Sequence, residues 1–270
     1  VTQTVATYRD AGWWQMSVPI AATPNTPWQF ADDLDPFLLQ NYNSSIYIYD
    51  ETNYGNYQCW QVPDSLELGR GFMLYIPEDN SEIDVEGQGL LMDSLRVELS
   101  VTDSAGAASG WHLIGNPYTY AIDWQDITRQ NVDNAVWFWD GQQYRYYPNG
   151  GFSGNISSWS TVWVHANNVE NASVTFHPEE NKDLNPYKEI DDKVFGGYKM
   201  QVAVVGPNSR DEFNFAGVSP YSADQLTDVQ VPDLAPMLPP FRVWQSKGYF
   251  IYDEQKYAEQ IQPANAAANA

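Results

Sequence analysis

Few side chains in this sequence are suited to chemistry, and they lie far apart. His112, His165 and His177 are its three histidines and Cys59 its one cysteine. A hydrolase of the common kinds needs a Ser, Cys or Thr held beside a base. His112 and His165 fall inside tryptophan-bearing apolar runs, WHLIG and VWVHA, and His177 closes SVTFH. Strand interiors therefore claim all three before a site does. GFSGN at 151–155 lacks the spacing of a nucleophile elbow. Neither HExxH nor a clustered Cys/His spacing is present for zinc. Paired carboxylates hydrolyse glycosides. Asp32, Asp33 and Asp35 are neighbours, as are Asp123 and Asp126, but 35 acidic residues make such pairs by chance. The expectation is a protein without catalytic residues and without a cofactor. The acidic loops leave room for a structural calcium ion, which takes oxygen ligands in irregular loops. Its candidate ligands are Asp183, Asp191 and Asp192, although no EF-hand pattern occurs.

Aromatic strands are the better binding candidates. Trp137 and Trp139 share one face of a strand, as do Tyr47 and Tyr49 of another. If exposed, such a ladder stacks on sugar rings or on a partner protein. If buried, it is the inner face of a sandwich, where large aromatics usually sit. The opposite faces, Val136/Phe138 and Ile46/Ile48, are also apolar, as in strands covered on both sides. Asn43, Asn155 and Asn171 each open an Asn-x-Ser sequon at an expected loop or strand end, making them candidate glycosylation sites.

These residues need a β scaffold to place them. The 270 residues suffice for one large domain or two to three ordinary ones, and 43% of them are hydrophobic. Eleven Trp, 18 Tyr, 18 Gly and 17 Pro favour short strands joined by turns. A net charge of −22 repels the phosphate backbone of nucleic acid and an anionic membrane surface alike. No apolar run approaches the ~20 residues of a membrane helix. A single cysteine allows no intrachain disulfide, and Cys59 in YQCWQV reads as a small core residue. The opening VTQTVATYRD has no signal-peptide pattern, as expected of a processed chain or an excised fragment.

Strand patterns recur in a fixed order. GWWQMSVP at 12–19 alternates and stops at Pro19. A proline-rich loop follows, with one helical turn near Phe30–Leu34, and strands are expected at 44–50, 57–62, 72–76, 83–85 and 95–101. The small residues DSAGAASG at 103–110 mark an internal boundary. GWHLIGNP at 110–117 then restarts the order. Trp124 stands for Trp28, Val136–Trp139 for Ile46–Tyr49 and Trp159–Ala166 for Phe72–Ile76, with 173–177 as a closing strand. Asp140-Gly141 turns Val136–Trp139 into a hairpin with Tyr144–Tyr147. The offset between copies is 98 at Gly12/Gly110 and 90 at Tyr47/Trp137. A third β segment holds strands at 198–205 and 213–215 and a hairpin of Phe241–Trp244 with Tyr249–Tyr252. The expected organisation is an all-β chain of tandem sandwich-like modules at 1–102 and 103–180. A third segment at 181–256 would pack on the second module, and 257–270 would be an extended tail.

GWHLIGNPYTYAIDW, NAVWFWDGQQYRYYPNGG, WSTVWVHA and SVTFH resemble a β-repeat of large bacterial secreted and cell-surface proteins, many of them cargo of type IX secretion. GWWQMSVP, SIYIYDETNYGNY and LGRGFMLYIP are similar to a sister form with a GW-L-S-P opening. The resemblance covers roughly residues 12–250, and the chain ends without a recognisable sorting domain. It implies a non-enzymatic extracellular or cell-surface structural or adhesive protein, a subunit of a filament or sheath joined by self-association or to neighbouring surface proteins. The alternative is a polysaccharide-binding accessory module of a larger secreted enzyme. The tail is expected to add as a strand to a neighbouring subunit.

Overall fold

The computed structural model describes residues 3–22, 25–30, 33–34, 45–53, 59–88, 93–102, 109–141, 143–148, 150–178, 186, 198–205, 210–219, 231–232, 250–252 and 255–263. It is an all-β protein whose sheets are mostly antiparallel, with only short 3-10 turns among the described residues. Contacts divide it into two compact units, one of 1–133 with 154–186 and the other of 134–153 with 187–270.

The first unit begins with β1 (Gln3–Arg9), whose QTVATYR sets half-buried side chains on one face of a sheet and exposed ones on the other. It continues through β2 (Gly12–Met16), β3 (Ala21–Ala22), β4 (Ile46–Tyr49), β5 (Trp60–Gln61), β6 (Phe72–Ile76) and β7 (Ser81–Gln88). β7 lies between β1 and β3, and a second sheet runs in the order β2-β6-β4-β5. Ile83 and Val85 of β7 meet Met16, Ile46, Phe72 and Leu74 of the second sheet in a core that excludes water. Each such side chain contributes about 1.5–3 kcal/mol by leaving water. A 3-10 turn forms at Pro27–Phe30, and at the expected helical turn Leu34 N–H donates to the Phe30 carbonyl at 2.9 Å.

β8 (Leu95–Leu99), β9 (Trp111–Gly115), β10 (Ile122–Asp123) and β11 (Thr128–Gln130) follow, with β14 (Asn155–Ile156), β15 (Thr161–His165) and β16 (Ala172–Phe176) completing the unit. β16 lies between β8 and β11, and β9 pairs β15 along its whole length. β9 and β15 are buried on both faces apart from His165, as their unbroken apolar runs require. The strand Leu95–Leu99, expected with residues 1–102, pairs β16 at 172–176. The small-residue stretch at 103–110 therefore follows a strand whose sheet lies further along the chain.

The two halves of this unit join through backbone. Met16 bridges Ser160 and Arg70 bridges Ile114. Ser17 N–H donates to the Trp159 carbonyl at 3.1 Å, and Gly115 N–H to the Gly69 carbonyl at 3.0 Å. Both members of each set stand at the offsets of 98 and 90 that relate the sequence landmarks. Gly69 (φ +76°) and Trp159 (φ +67°), related by the offset of 90, share the left-handed region. Trp159 packs into the core of the first sandwich, while Gly69 lies against Val97, Leu95 and Phe176.

The second unit holds the hairpin β12 (Val136–Trp139) and β13 (Tyr144–Tyr147), in the register expected from Asp140-Gly141. Its sheet runs β17 (Tyr198–Val205), β18 (Arg210–Ser219), β21 (Gln255–Pro263), β19 (Val231–Pro232), and β20 (Phe250–Tyr252) also pairs β21. Two expectations change here. Tyr249–Tyr252 was to pair Phe241–Trp244, which lies outside the described residues; instead Phe250–Tyr252 pairs Gln255–Tyr257. Residues 257–263 are no tail: Glu259–Pro263 run parallel to Phe215–Ser219 inside the sheet. Alternation in QKYAEQIQ is enough for a strand even with few large apolar residues, because its neighbours on both sides supply the ladder.

Candidate functional site

The four aromatic candidates are mostly packed. Trp137 and Trp139 are 5% and 8% exposed, and Tyr47 is 8% exposed. Trp137 lies 4.9 Å from Tyr146 and Trp139 4.9 Å from Tyr144, ring centre to ring centre. Neither presents an open face. Tyr49 is half-buried and edge-on to both Trp60 and Trp163, at 5.3 and 4.9 Å. Such pairs add about 0.5–1.5 kcal/mol each beyond their buried area. Burial holds the Tyr49 hydroxyl well above its ordinary pKa, helped by its hydrogen bond to Cys59. Cys59 is buried, as expected of a core thiol.

The acidic pairs serve the backbone. Asp123 Oδ1 caps the 3-10 turn Trp124–Asp126 by accepting from Gln125 N–H at 2.9 Å. Asp33 Oδ2 accepts from Asp84 N–H at 2.9 Å. Asp32 and Asp35 lie outside the described residues, as do the calcium candidates Asp183, Asp191 and Asp192. Among the described residues no three His, Cys, Asp or Glu side chains are grouped for a metal ion. Of the sequons, Asn43 also lies outside them. Asn171 is exposed, whereas Asn155 is 4% exposed on β14 opposite Asp123, a position closed to glycan transfer in the folded chain.

Each histidine is fixed differently. His177 bridges Ser94 Oγ at 3.1 Å and Thr128 Oγ1 at 2.8 Å, so a hydroxyl stands where a triad would need an orienting carboxylate. His165 Nδ1 meets Asp133 Oδ2 at 2.7 Å, and Asn167 Nδ2 donates to the other oxygen. Burial opposes the Asp133 charge, yet the bonds from His165 and Asn167 outweigh it and lower its pKa. No hydroxyl or thiol of the described residues reaches the His165 ring, so this base–carboxylate pair has no nucleophile. His112 is 5% exposed, and its Nε2 donates to the Ser100 carbonyl at 2.7 Å. Burial lowers its pKa to about 4, leaving it neutral near pH 7 with the proton on Nε2.

His112 opens onto a cleft of about 550 Å³ in the first unit. It is lined by the apolar side chains of Ile48, Tyr49, Phe72 and Leu113 and by Asp50, Asp64, Glu67, Glu98 and Arg70. Arg70 is placed by its Nη2 bond to the Glu98 carbonyl at 2.7 Å, and burial lowers its pKa. The sequence reading missed this cleft, because its walls come from four separate stretches that only the fold joins. The one local signal was Gly69-Arg70-Gly71, a cation between glycines just ahead of an apolar strand.

Glu51, also missed, is wholly buried. Its Oε2 accepts from Gly110 N–H at 2.7 Å and Thr102 N–H at 3.1 Å, and its Oε1 from Thr102 Oγ1 at 2.8 Å. Burial raises its pKa, but these bonds and one from Ser100 outweigh that effect and leave it lowered.

No family model, curated protein or solved structure matches this chain.

Proposed function

We propose that the chain is a non-enzymatic structural protein of an extracellular or cell-surface assembly, joined to further copies of itself through the edge strand β17. The observation that carries this is the character of that edge. Among the described strands β17 pairs only β18, and Met200, Val202 and Val205 are 58%, 36% and 71% exposed. Edge strands are normally blunted by charge. The edge strand β8 fits that rule, with Arg96 paired to Glu98 on its exposed face. Residues 198–205, YKMQVAVV, hold one lysine and no carboxylate in a chain of net charge −22. Two copies meeting antiparallel along this strand would form a self-complementary interface and meet no opposing carboxylates there.

The tail that sequence reading assigned to a neighbouring subunit pairs within its own chain as far as Pro263, and no longer supports assembly. The extracellular placement draws on the resemblance of residues 110–140 to secreted β-repeats. Duplication of one module is supported by the paired bridges at offsets of 98 and 90. The test is sedimentation velocity over a micromolar concentration series. Wild-type chain should associate, and Met200→Glu with Val202→Glu should remain monomeric, because like charges opposite each other destabilise a strand pair. A wild-type chain that stays monomeric throughout would remove the proposal.

A further inference from the structure

We propose that the cleft lined by Tyr49, Glu67, Arg70 and His112 is a binding site for a neutral saccharide, one or two pyranose rings long. It goes beyond the assembly reading and does not rest on it. All lining residues belong to the first unit. A cavity of about 550 Å³ falls within the ~300–1,000 Å³ of small-molecule sites.

His112 points to the ligand. The carbonyl of Ser100 can only accept, so Nε2 carries the proton and Nδ1 is an acceptor. The ring is 5% exposed and lines the cleft, and no donor of the described residues reaches Nδ1. Nδ1 is therefore an acceptor at the cleft that a ligand O–H or N–H can meet. Metal ligation is a poor way to meet it, since no three metal-binding side chains of the described residues are grouped.

Charge then narrows the class. Asp50, Asp64, Glu67 and Glu98 outnumber Arg70 and disfavour an anion, while the Arg70 N–H donors need an acceptor, which an ammonium lacks. Arg70 spends Nη2 on the Glu98 carbonyl, and its other N–H groups have no acceptor among the described residues. A site with acceptors and donors side by side asks for groups that both donate and accept. Hydroxyls do so; an ammonium or a carboxylate does only one. The apolar lining residues Ile48, Tyr49, Phe72 and Leu113 suit the C–H face of a sugar ring. The aromatic ladders singled out from sequence are therefore not this site, although Tyr49 belongs to it.

The test is calorimetric titration of the full chain with cellobiose, maltose, lactose and diacetylchitobiose. Galacturonic acid and glucosamine serve as the anionic and cationic probes. At least one neutral disaccharide should bind with a micromolar-to-millimolar Kd, more tightly than either charged sugar. Glu67→Ala, an exposed position that carries no fold, should weaken it at least tenfold, and so should Arg70→Met. In the wild-type chain the ¹⁵N resonance of His112 Nδ1 should shift as it begins to accept a hydrogen bond. Absence of binding by all four disaccharides, tighter binding of a charged sugar, or binding that leaves both variants and the His112 resonance unchanged would each overturn the proposal.

Discussion

Replacing Glu51 by alanine removes a buried carboxylate and leaves the Gly110 and Thr102 N–H groups without their acceptor. The bonds at 2.7, 3.1 and 2.8 Å are lost, together with the one from Ser100. Hydrogen bonds to a charged group are worth about 1.5–3 kcal/mol each. They share one carboxylate and are not additive, so the expected loss is about 3–5 kcal/mol, the size seen when one partner of a buried charge is removed. Glu51→Gln keeps an oxygen for the two N–H groups and turns its amide toward the Thr102 hydroxyl, which can accept. Its cost should be about 1–2 kcal/mol. The assay is urea unfolding at pH 7 by tryptophan fluorescence, with hydrogen exchange of peptides covering 100–102 and 109–113. Exchange there should accelerate most in Glu51→Ala, less in Glu51→Gln. The pH dependence has a definite sign. Glu51 is lowered in the fold, so its stabilisation is complete above the ordinary glutamate range and disappears as pH falls through the folded value. Glu51→Gln should lack that acid step. An alanine variant within about 0.5 kcal/mol of wild type would show that the bonds do not hold 102 and 110 to the first sandwich.

His112 gives a separate acid response. Its pKa falls from 6.5 to about 4, so the unfolded chain binds the extra proton between those values. Stability should therefore drop by about 3 kcal/mol as pH falls from 6.5 to 4, and the slope should flatten in His112→Gln, read from urea midpoints at half-unit steps. Gly69→Ala should destabilise by about 2–4 kcal/mol. Its φ of +76° disfavours a side chain, and a Cβ would stand 2.6 Å from Val97 and 2.8 Å from Leu95. A Tm within a degree of wild type would contradict that. Gly115→Ala should also lower Tm, because its Cβ would overlap Ser17 across the bridged backbone, and Ser17→Gly should partly restore it.

Strands dense in β-branched and aromatic residues were legible from pattern alone. Phe72–Ile76, Val136–Trp139, Tyr144–Tyr147 and Tyr198–Val205 have the bounds their residues suggested. Pairing was less legible, since a strand's partner is chosen by the whole fold. Leu95–Leu99 alternates equally well for either sandwich, and only its ladder with Ala172–Phe176 decides. Gln255–Pro263 reads as polar because its stability comes from neighbours on both sides. The offsets of 98 and 90 were visible in sequence, but not that Met16/Ser160 and Ile114/Arg70 would bridge at those spacings. Glu51 sits in ETNYGN, a stretch that looks solvated until Thr102 and Gly110 return to it. The cleft was hidden for the same reason: His112 looked like a core histidine, and its Nδ1 matters only beside Glu67 and Arg70.

The most direct test of the proposed role is electron microscopy of the purified chain beside its Met200→Glu, Val202→Glu variant. Association through β17 predicts regular dimers or longer ordered assemblies of wild type, and single particles of the variant. Uniform single particles of both would contradict it.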